Sequence, residues 1–159
     1  MATNFLEALG TNGYIATPFA FVTTEFSGNN TVVTTGVRTF TQTSGSQAQA
    51  IWGSVYFMAG GAFTPLAGGY IAAWFLKSPN GGVSFESSPG ANQGLARIPD
   101  FIVPLNAVAY ASGTISWCQA PIVQLPWEPY RLYAQNLSGS GVSIPVSSSL
   151  NVGPVAVQY

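Results

Sequence analysis

Residues 68–86 constrain the fold of this chain more than any other stretch. Positions 70–76, YIAAWFL, are apolar without interruption, which is typical of a strand that is buried on both faces. The sequence SPNGG at 78–82 combines proline, asparagine and glycine and therefore favours a tight turn. Beyond the turn, VSFE at 83–86 alternates between apolar and polar side chains, which predicts a half-buried second strand. The stretch as a whole predicts a β-hairpin.

Short apolar or alternating runs, separated by turn residues, continue along the rest of the chain. They predict further strands at residues 17–26, 31–35, 50–58, 101–108, 114–118, 130–135, 142–146 and 150–157. Pro104 cannot donate a backbone hydrogen bond, so the strand around it is expected at a sheet edge or with a bulge. Regularly spaced short strands are typical of antiparallel sandwiches and barrels. We therefore predict an all-β fold, an antiparallel, jelly-roll-like β-sandwich that forms a single domain over residues 16–159.

Residues 1–15 are expected to form a short N-terminal arm that precedes this domain. Within it, TNFLEAL at 3–9 can form a short helix, which the glycines at 10 and 13 would terminate. The apolar side chains of the arm either fold back on the chain's own core or dock on a neighbouring subunit, and the sequence leaves both open. Residues 1–4 contain neither a basic nor an apolar region, so no signal peptide is expected.

Charged residues are scarce. The chain has four basic and five acidic side chains, together 6% of its residues, whereas about a quarter is typical of soluble proteins. Such a surface suits a protein that packs against others in an assembly, and an ordinary soluble monomer is the less favoured alternative. The basic residues are scattered, so no basic stripe is available for nucleic acid. No apolar run reaches the roughly 20 residues that a helix needs to span a bilayer.

The residue types that catalysis most often uses are also scarce. Histidine is absent, which removes the commonest general base and a common metal ligand. Cys118 is the only cysteine, so no disulfide forms within the chain, and a small, partly buried thiol is expected there. Two of the five carboxylates can still meet as a glycosidase-type pair, although solvated or loop-bonded carboxylates are the favoured interpretation. We therefore predict a protein that is not an enzyme and that has no catalytic residue, metal or cofactor.

Three stretches resemble, in order and spacing, a family of small tailed-bacteriophage virion proteins. Residues 21–30, FVTTEFSGNN, resemble an early Thr-Glu-Leu motif followed by an Asn/Gly turn. Residues 68–82 resemble the family's strand and Ser-x-Asp/Asn-Gly hairpin. Residues 125–139, LPWEPYRLYAQNLSG, resemble its Leu-Pro-Pro-Gly, aromatic-basic strand and Gln-Asn-x-Ser/Thr-Gly block. With IPD at 98–100 and PL at 104–105, the likeness covers most of the chain from residue 20 onward.

The resemblance implies a β-sandwich decoration (cement) protein that binds the outer surface of a phage capsid and stabilises it. Such a protein is made in the host cytoplasm and resides on the virion. The implied partners are the major capsid protein and further copies of the chain, as a dimer or trimer, and they include neither nucleic acid nor a membrane. The chain departs from the family at WEP (127–129), where proline and glycine are usual, and in its unusually aromatic central strand. A phage tail or fibre component is an alternative.

Contact residues are expected in the arm and in the proline-rich segment 120–130. The candidates are Phe5, Leu6, Leu9, Tyr14, Leu125, Trp127 and Tyr130. A rival hypothesis from a different class is a carbohydrate-binding β-sandwich module, because exposed aromatic rings on such a fold can stack on sugars. The candidates for that function are Trp52, Trp74, Trp117 and Trp127.

Overall fold

The computed structural model describes residues 19–20, 31–33, 51–87, 94–120, 123–126 and 128–154. Within these residues all regular secondary structure is β, and no helix is present. The strands are β1 (Phe19–Ala20), β2 (Thr31–Val33), β3 (Ile51–Met58), β4 (Tyr70–Lys77), β5 (Phe101–Pro104), β6 (Ile115–Trp117), β7 (Val123–Leu125), β8 (Tyr130–Leu137) and β9 (Ser149–Pro154).

The described strands form two sheets in which all neighbours are antiparallel. In the first sheet the order is β1-β9-β3-β6, and β7 pairs with β3 beyond the end of β6. In the second sheet the order is β2-β8-β4-β5. β4 and β8 pair along their full lengths, from Tyr70 opposite Leu137 to Lys77 opposite Tyr130. β4 is therefore a central strand, with β8 on one side and β5 on the other.

The side chains that the two sheets direct towards each other form one apolar core. β3 contributes Val55 and Phe57, while β4 contributes Ile71 and Phe75. The whole buried set is Val55, Phe57, Ala59, Ile71, Ala73, Phe75, Phe101, Val103, Leu105, Tyr110, Cys118, Val123, Leu125, Tyr130, Leu132, Ala134, Ile144 and Leu150. Strand alternation explains this set, because every second residue of β3, β4, β5 and β8 points to the same side of its sheet. Burial of these groups is the main source of stability.

A second, smaller apolar cluster lies on the opposite face of the second sheet. It contains Ala72, Trp74, Leu76 and Tyr133, with Tyr70, Phe85, Leu95 and Leu137 packed against it. Phe85 and Leu95 belong to the connection from β4 to β5, whose described residues are 78–87 and 94–100 (hereafter the β4–β5 connection). These two side chains therefore cover this face of the sheet. Covering both faces explains why β4 is apolar at successive positions: all of its residues from 71 to 76 are buried.

The β4–β5 connection is joined to the strand it covers by polar contacts. Trp74 Nε1 donates to the Arg97 carbonyl at 3.0 Å, and the Phe75 amide donates to Asp100 Oδ2 at 2.7 Å. Arg97 in turn donates to the Phe75 carbonyl at 2.9 Å and pairs with Glu86 at 3.2 Å and with Asp100 at 2.9 Å. Because β5 pairs with β4 only as far as Ala73, these side chains satisfy backbone groups of Phe75 that a neighbouring strand would otherwise bond.

Much of the predicted architecture is confirmed. The all-β class is correct, and strands occur in the ranges expected for β3, β4, β6 and β9. β5 begins where expected but ends at Pro104, so residues 105–108 of the strand predicted at 101–108 do not belong to it. β8 occurs where expected and extends to Leu137, beyond the predicted end at 135. Pro104 lies in β5, which is the edge strand of the second sheet in the described part of the chain. The arm (1–15) and most of the predicted strand at 17–26 lie outside the described residues.

Two strand predictions are wrong. The turn at 78–82 forms, with positive φ at Gly81 and Gly82, but residues 83–86 do not pair with β4 as a strand. Instead Asn80 and Ser84 bond to each other, and Phe85 crosses onto the outer face of the sheet. Residues 142–146 are not a strand either. There Asn136 Nδ2 donates to the Val142 carbonyl, so the segment is held by a side chain and not by a sheet ladder.

Candidate interaction surface

The side chains of β6 alternate in the reverse of the usual sense. Ile115 is 48% exposed and Trp117 is 59% exposed, whereas Ser116 between them is 7% exposed. An apolar-polar-apolar strand normally directs its apolar side chains to the core and its polar one to solvent. In β6 the serine faces the core, and the isoleucine and the tryptophan face outward.

Ser116 is accommodated in the core by a buried hydroxyl pair. The Asn106 amide donates to the Tyr110 hydroxyl oxygen at 3.0 Å, which leaves the Tyr110 hydrogen free to donate to Ser116 Oγ. Both hydroxyls are therefore satisfied, and burying them carries little of the cost of an unpaired polar group. Tyr110 also packs against Phe63 and Phe57, with ring centroids 4.9 and 6.5 Å apart. This contact fixes the inward position of Ser116 and, with it, the outward position of its neighbours.

On the outer face of the first sheet, Trp117 packs against Tyr56. Their ring centroids are 5.0 Å apart and the ring planes are inclined by 52°. Trp117 lies opposite Tyr56 in the register of β3 and β6, and Ile115 lies opposite Met58. Asn151 of β9 lies opposite Tyr56 on its other side. We refer to these residues, Tyr56, Met58, Ile115, Trp117 and Asn151, as the aromatic face.

The aromatic face is uncharged. The described side chains directed outward from the first sheet are aromatic, aliphatic, thioether, amide or hydroxyl groups, and none of them carries a charge. Large aromatic rings release much apolar area from water when they are covered, and a contiguous exposed apolar patch commonly marks a binding surface. Chemically, the face can bury itself against the apolar surface of another protein or stack on the apolar side of a sugar ring.

The predicted contact residues of segment 120–130 do not form this surface. Leu125 and Tyr130 are both buried in the main core, and the ring of Tyr130 lies 5.1 Å from that of Phe75 in an edge-to-face contact. Strand alternation directs both side chains inward, since Val123 and Leu125 of β7 and Tyr130 and Leu132 of β8 are buried. This corrects the expectation that they lie at the surface. Phe5, Leu6, Leu9, Tyr14 and Trp127 lie outside the described residues.

Of the tryptophans proposed to stack on sugars, one is buried and one is exposed in the described part of the chain. Trp74 is buried beneath the β4–β5 connection, so it is a core residue, while Trp117 is exposed on the aromatic face. The side chain of Trp52 and all of Trp127 lie outside the described part of the chain. Sequence reasoning had not assigned Trp117, Ile115 or Tyr56 to a protein contact, because alternation alone cannot say which side of a strand faces the core.

Two further groups have shifted pKa values. The Cys118 thiol is buried, and desolvation raises its pKa, which disfavours the reactive thiolate. This agrees with the partly buried, inert thiol expected from the sequence. Burial acts to lower the pKa of Arg97, but hydrogen bonds and charge interactions with Glu86 and Asp100 outweigh it, so the pKa is raised. The contacts of Arg97 with Glu86 and with Asp100 hold the β4–β5 connection in place.

Within the described residues, no helix is long and apolar enough to cross a membrane. In the same part of the chain no three histidine, cysteine or carboxylate side chains come together as metal ligands would. Comparison of the chain with protein-family models, with curated proteins and with solved structures found no match.

Proposed function

We propose that this chain is a structural protein of a phage particle, which binds the outer surface of the capsid and stabilises it. The observation that carries the proposal is the reversed alternation of β6, which leaves Ile115 and Trp117 in solvent and a serine in the core. A free monomer gains nothing from this arrangement, whereas a protein that is covered by its neighbours does. The resemblance of three stretches to small tailed-phage virion proteins supports the same function.

Repetition on a capsid explains how a surface as small as the aromatic face can be sufficient for stable binding. Covering apolar surface contributes about 25 cal/mol per Å², and part of that gain is lost to immobilisation on binding. On a symmetric shell each copy occurs many times and touches more than one neighbour, so weak contacts reinforce one another. The scarcity of charge favours this function further, because few ions must be desolvated when the faces close.

The fold that we propose for the whole chain, a jelly-roll β-sandwich, suits this function. The common core of the two sheets supports a sandwich. If β6 and β7 are one interrupted strand, the described strands number eight, and they divide four and four between the two sheets as β1-β9-β3-β6/β7 and β2-β8-β4-β5. Double-sheet jelly rolls of eight strands are found in viral capsid proteins and in lectins.

The proposed role is one of binding and not of catalysis. The partners that we propose are the major capsid protein and copies of this chain, at the outside of the virion. In this arrangement the core cluster and the β4–β5 connection form a rigid scaffold, and the aromatic face supplies the contact. The arm (1–15) is proposed to add a second contact with a neighbouring subunit.

The test is particle occupancy. Particles that lack the protein are incubated with purified wild type or with W117K and sedimented, and the bound copies are counted by quantitative gel analysis. We expect wild type to bind at saturating, stoichiometric occupancy and W117K to lose at least about 90% of it, because a charge would be buried at the contact. V83K is the matched control, since Val83 is 84% exposed on the β4–β5 connection. Wild type that fails to bind particles would refute the proposal.

The arm has its own experiment. A variant without residues 1–13 is expected to stay folded, by circular dichroism, and to be released from particles during sedimentation. If the shortened protein decorates particles at the occupancy of wild type, the arm makes no contact with a neighbour. Cryo-electron microscopy of a decorated particle then places the protein on the head or, as the alternative assignment to a tail or fibre requires, on the tail.

Carbohydrate binding is a second candidate because of one specific observation, the exposed Tyr56–Trp117 pair beside the amide of Asn151. Paired aromatic rings and an amide are suited to the apolar side and the hydroxyl groups of a neutral sugar. A glycan array probed with wild type and with W117A decides the matter. Binding that is lost in W117A supports a sugar site, and an array without signal leaves the capsid contact as the function of the face.

A further inference from the structure

Among the residues that the structure describes, β3 pairs with one edge of β6 and no strand pairs with its other edge. Ser116 lies opposite Phe57 in the ladder with β3. On either side of this pair, the Ala59 amide donates to the Thr114 carbonyl at 2.9 Å and the Cys118 amide donates to the Val55 carbonyl at 2.8 Å. Hydrogen bonds alternate along antiparallel strands, so Thr114, Ser116 and Cys118 face β3, while Ile115 and Trp117 face away from it.

The backbone groups of Ile115 and Trp117 that face away are unpaired in the described part of the chain. No described residue donates to their carbonyls or accepts from their amides. Their side chains are also the exposed apolar ones. A strand edge with free amides and carbonyls is a template for pairing with another strand, and proteins usually protect such edges with proline, charge or a covering segment.

The edge strand of the second sheet is protected in this way. The Leu105 amide donates to the Gly69 carbonyl, so by the same alternation Ile102 and Pro104 face away from β4. Pro104 has no amide hydrogen, and the Ile102 carbonyl accepts from the Gln119 amide at 2.9 Å. Described residues therefore protect the edge at β5. At β6 they provide no covering segment, and the strand itself has neither proline nor charge, since residues 114–117 are TISW.

We infer that β6 pairs with β6 of a second copy of this chain, antiparallel and about a two-fold axis through Ser116. In this register Ile115 lies opposite Trp117 of the other copy, and both are residues with outward-facing amides and carbonyls, so each pair exchanges hydrogen bonds in both directions. A β-branched residue opposite an aromatic one is a favourable cross-strand pair. The arrangement is self-complementary, as a two-fold interface must be.

A second copy fits this edge better than an unrelated strand does. The unpaired backbone groups of Ile115 and Trp117 lie symmetrically on either side of Ser116, so two copies of this edge can bond each other fully. Because the edge carries no charge, there is no like-charge repulsion across the axis. Pairing also joins the two aromatic faces into one continuous face with twice the number of rings. The inference adds a contacting strand and its register to the copies of this chain proposed above as partners. It does not depend on binding to a capsid, because it concerns the free protein in solution.

The first experiment is sedimentation equilibrium of the purified chain from about 1 µM to about 500 µM. A short interface predicts a weak dimer, with a dissociation constant between about 1 and 100 µM, so the mass should rise from 16.6 kDa towards twice that value. I115P removes an outward-facing amide and half of the intermolecular hydrogen bonds, and it should weaken the dimer at least about tenfold. I115V keeps the amide and the β-branch, and it should dimerise like wild type.

Amide hydrogen exchange supplies a readout that does not depend on the proline variant. The amides of Ile115 and Trp117 should become protected as the concentration rises through the dissociation constant, while that of Val83 should exchange rapidly throughout. A single-chain mass at 500 µM would overturn the inference. So would a dimer that I115P leaves unchanged, or one in which these two amides gain no protection. Wild type that dimerises but does not bind particles would refute the proposed function alone.

Discussion

Trp74 and Trp117 both lie on the outer face of their sheet, Trp74 in a central strand and Trp117 in a terminal one, and the described residues cover only Trp74. Trp74 is 3% exposed, lies beneath Phe85 and Leu95, and donates its indole hydrogen to a carbonyl of the same chain. Trp117 is more than half exposed and contacts Tyr56 on the surface. The chain buries one aromatic face with its own β4–β5 connection, and the described residues leave the other exposed.

The difference teaches that amino-acid composition alone does not make a binding surface. Both faces carry a tryptophan and a tyrosine in contact, with ring centroids 5.8 Å apart for Trp74–Tyr133 and 5.0 Å apart for Trp117–Tyr56. What separates them is whether a long connection returns over the sheet. The aromatic pair stabilises the fold in the first case, and in the second the described residues leave it at the surface.

The largest expected effect is that of truncating the covered tryptophan. W74A should reduce the free energy of unfolding by about 3 to 5 kcal/mol, because it removes a buried aromatic ring and leaves a cavity. W117A should change it by less than about 1 kcal/mol, since the ring is largely in solvent. Urea unfolding followed by circular dichroism measures both. An equal loss of unfolding free energy in W74A and W117A would contradict the distinction between a covered and an exposed tryptophan.

A smaller effect is expected when the cover itself is weakened. Phe85 packs on the Trp74 cluster and lies under the guanidinium of Arg131, whose central carbon is 4.2 Å from the ring centroid. F85A should cost about 1 to 3 kcal/mol, less than a fully buried ring, because Phe85 is only half-buried. V83A, two residues earlier and almost fully exposed, is the control and should be neutral in the same unfolding experiment. A neutral F85A would mean that the connection does not stabilise the face it covers.

The attachment of the β4–β5 connection to β4 should depend more on the Asp100 carboxylate than on that of Glu86. Asp100 Oδ2 accepts from the Phe75 amide and from Arg97. The Glu86 carboxylate is more exposed, and Arg97 is its one hydrogen-bond donor among the described residues. D100N should cost about 1 to 2 kcal/mol through the charge-assisted bond to a backbone amide. E86Q should cost less than about 0.5 kcal/mol, as is usual for an exposed ion pair. Thermal unfolding of the two variants provides the test, and the reverse order would contradict it.

The smallest effect concerns Cys118 and alkaline pH. Burial raises the pKa of the folded thiol above its ordinary value of 9.0, so the folded state holds this proton more tightly than the unfolded state does. The stabilisation is complete below the unfolded pKa and is lost as the pH rises through the folded pKa. Wild type should therefore lose more stability than C118A between about pH 8 and pH 11. Parallel losses in the two proteins would contradict the shift.

The central strands could be predicted from sequence because their patterns are long. The uninterrupted run in β4 and the aromatic run in β3 leave few alternatives to a buried strand. Residues 83–86 were assigned wrongly because only Val83 and Phe85 carry the alternation, and a pattern of two residues cannot show that β4 pairs with residues 101–104 instead. The strand predicted at 142–146 was also wrong. There the Asn136 side chain donates to the Val142 carbonyl, which a neighbouring strand would otherwise bond.

The candidate site was harder to predict than the fold. Alternation in β6 separates Ile115 and Trp117 from Ser116, but it suggests the opposite orientation, with the serine in solvent. The inward serine depends on Tyr110, a partner in the preceding loop that no local pattern reveals. Leu125 and Tyr130 were placed at the surface because the prolines around them favour an extended connection, whereas the strands on either side bury both side chains.

The uncharged character of the aromatic face has a consequence for the medium in which the protein associates. Attraction between charged surfaces weakens as ionic strength rises, because salt screens it, but contacts between uncharged faces have little to screen. Sulfate and similar ions, which are excluded from protein surfaces, should even strengthen them. The association proposed above for this face should therefore weaken little as the ionic strength rises.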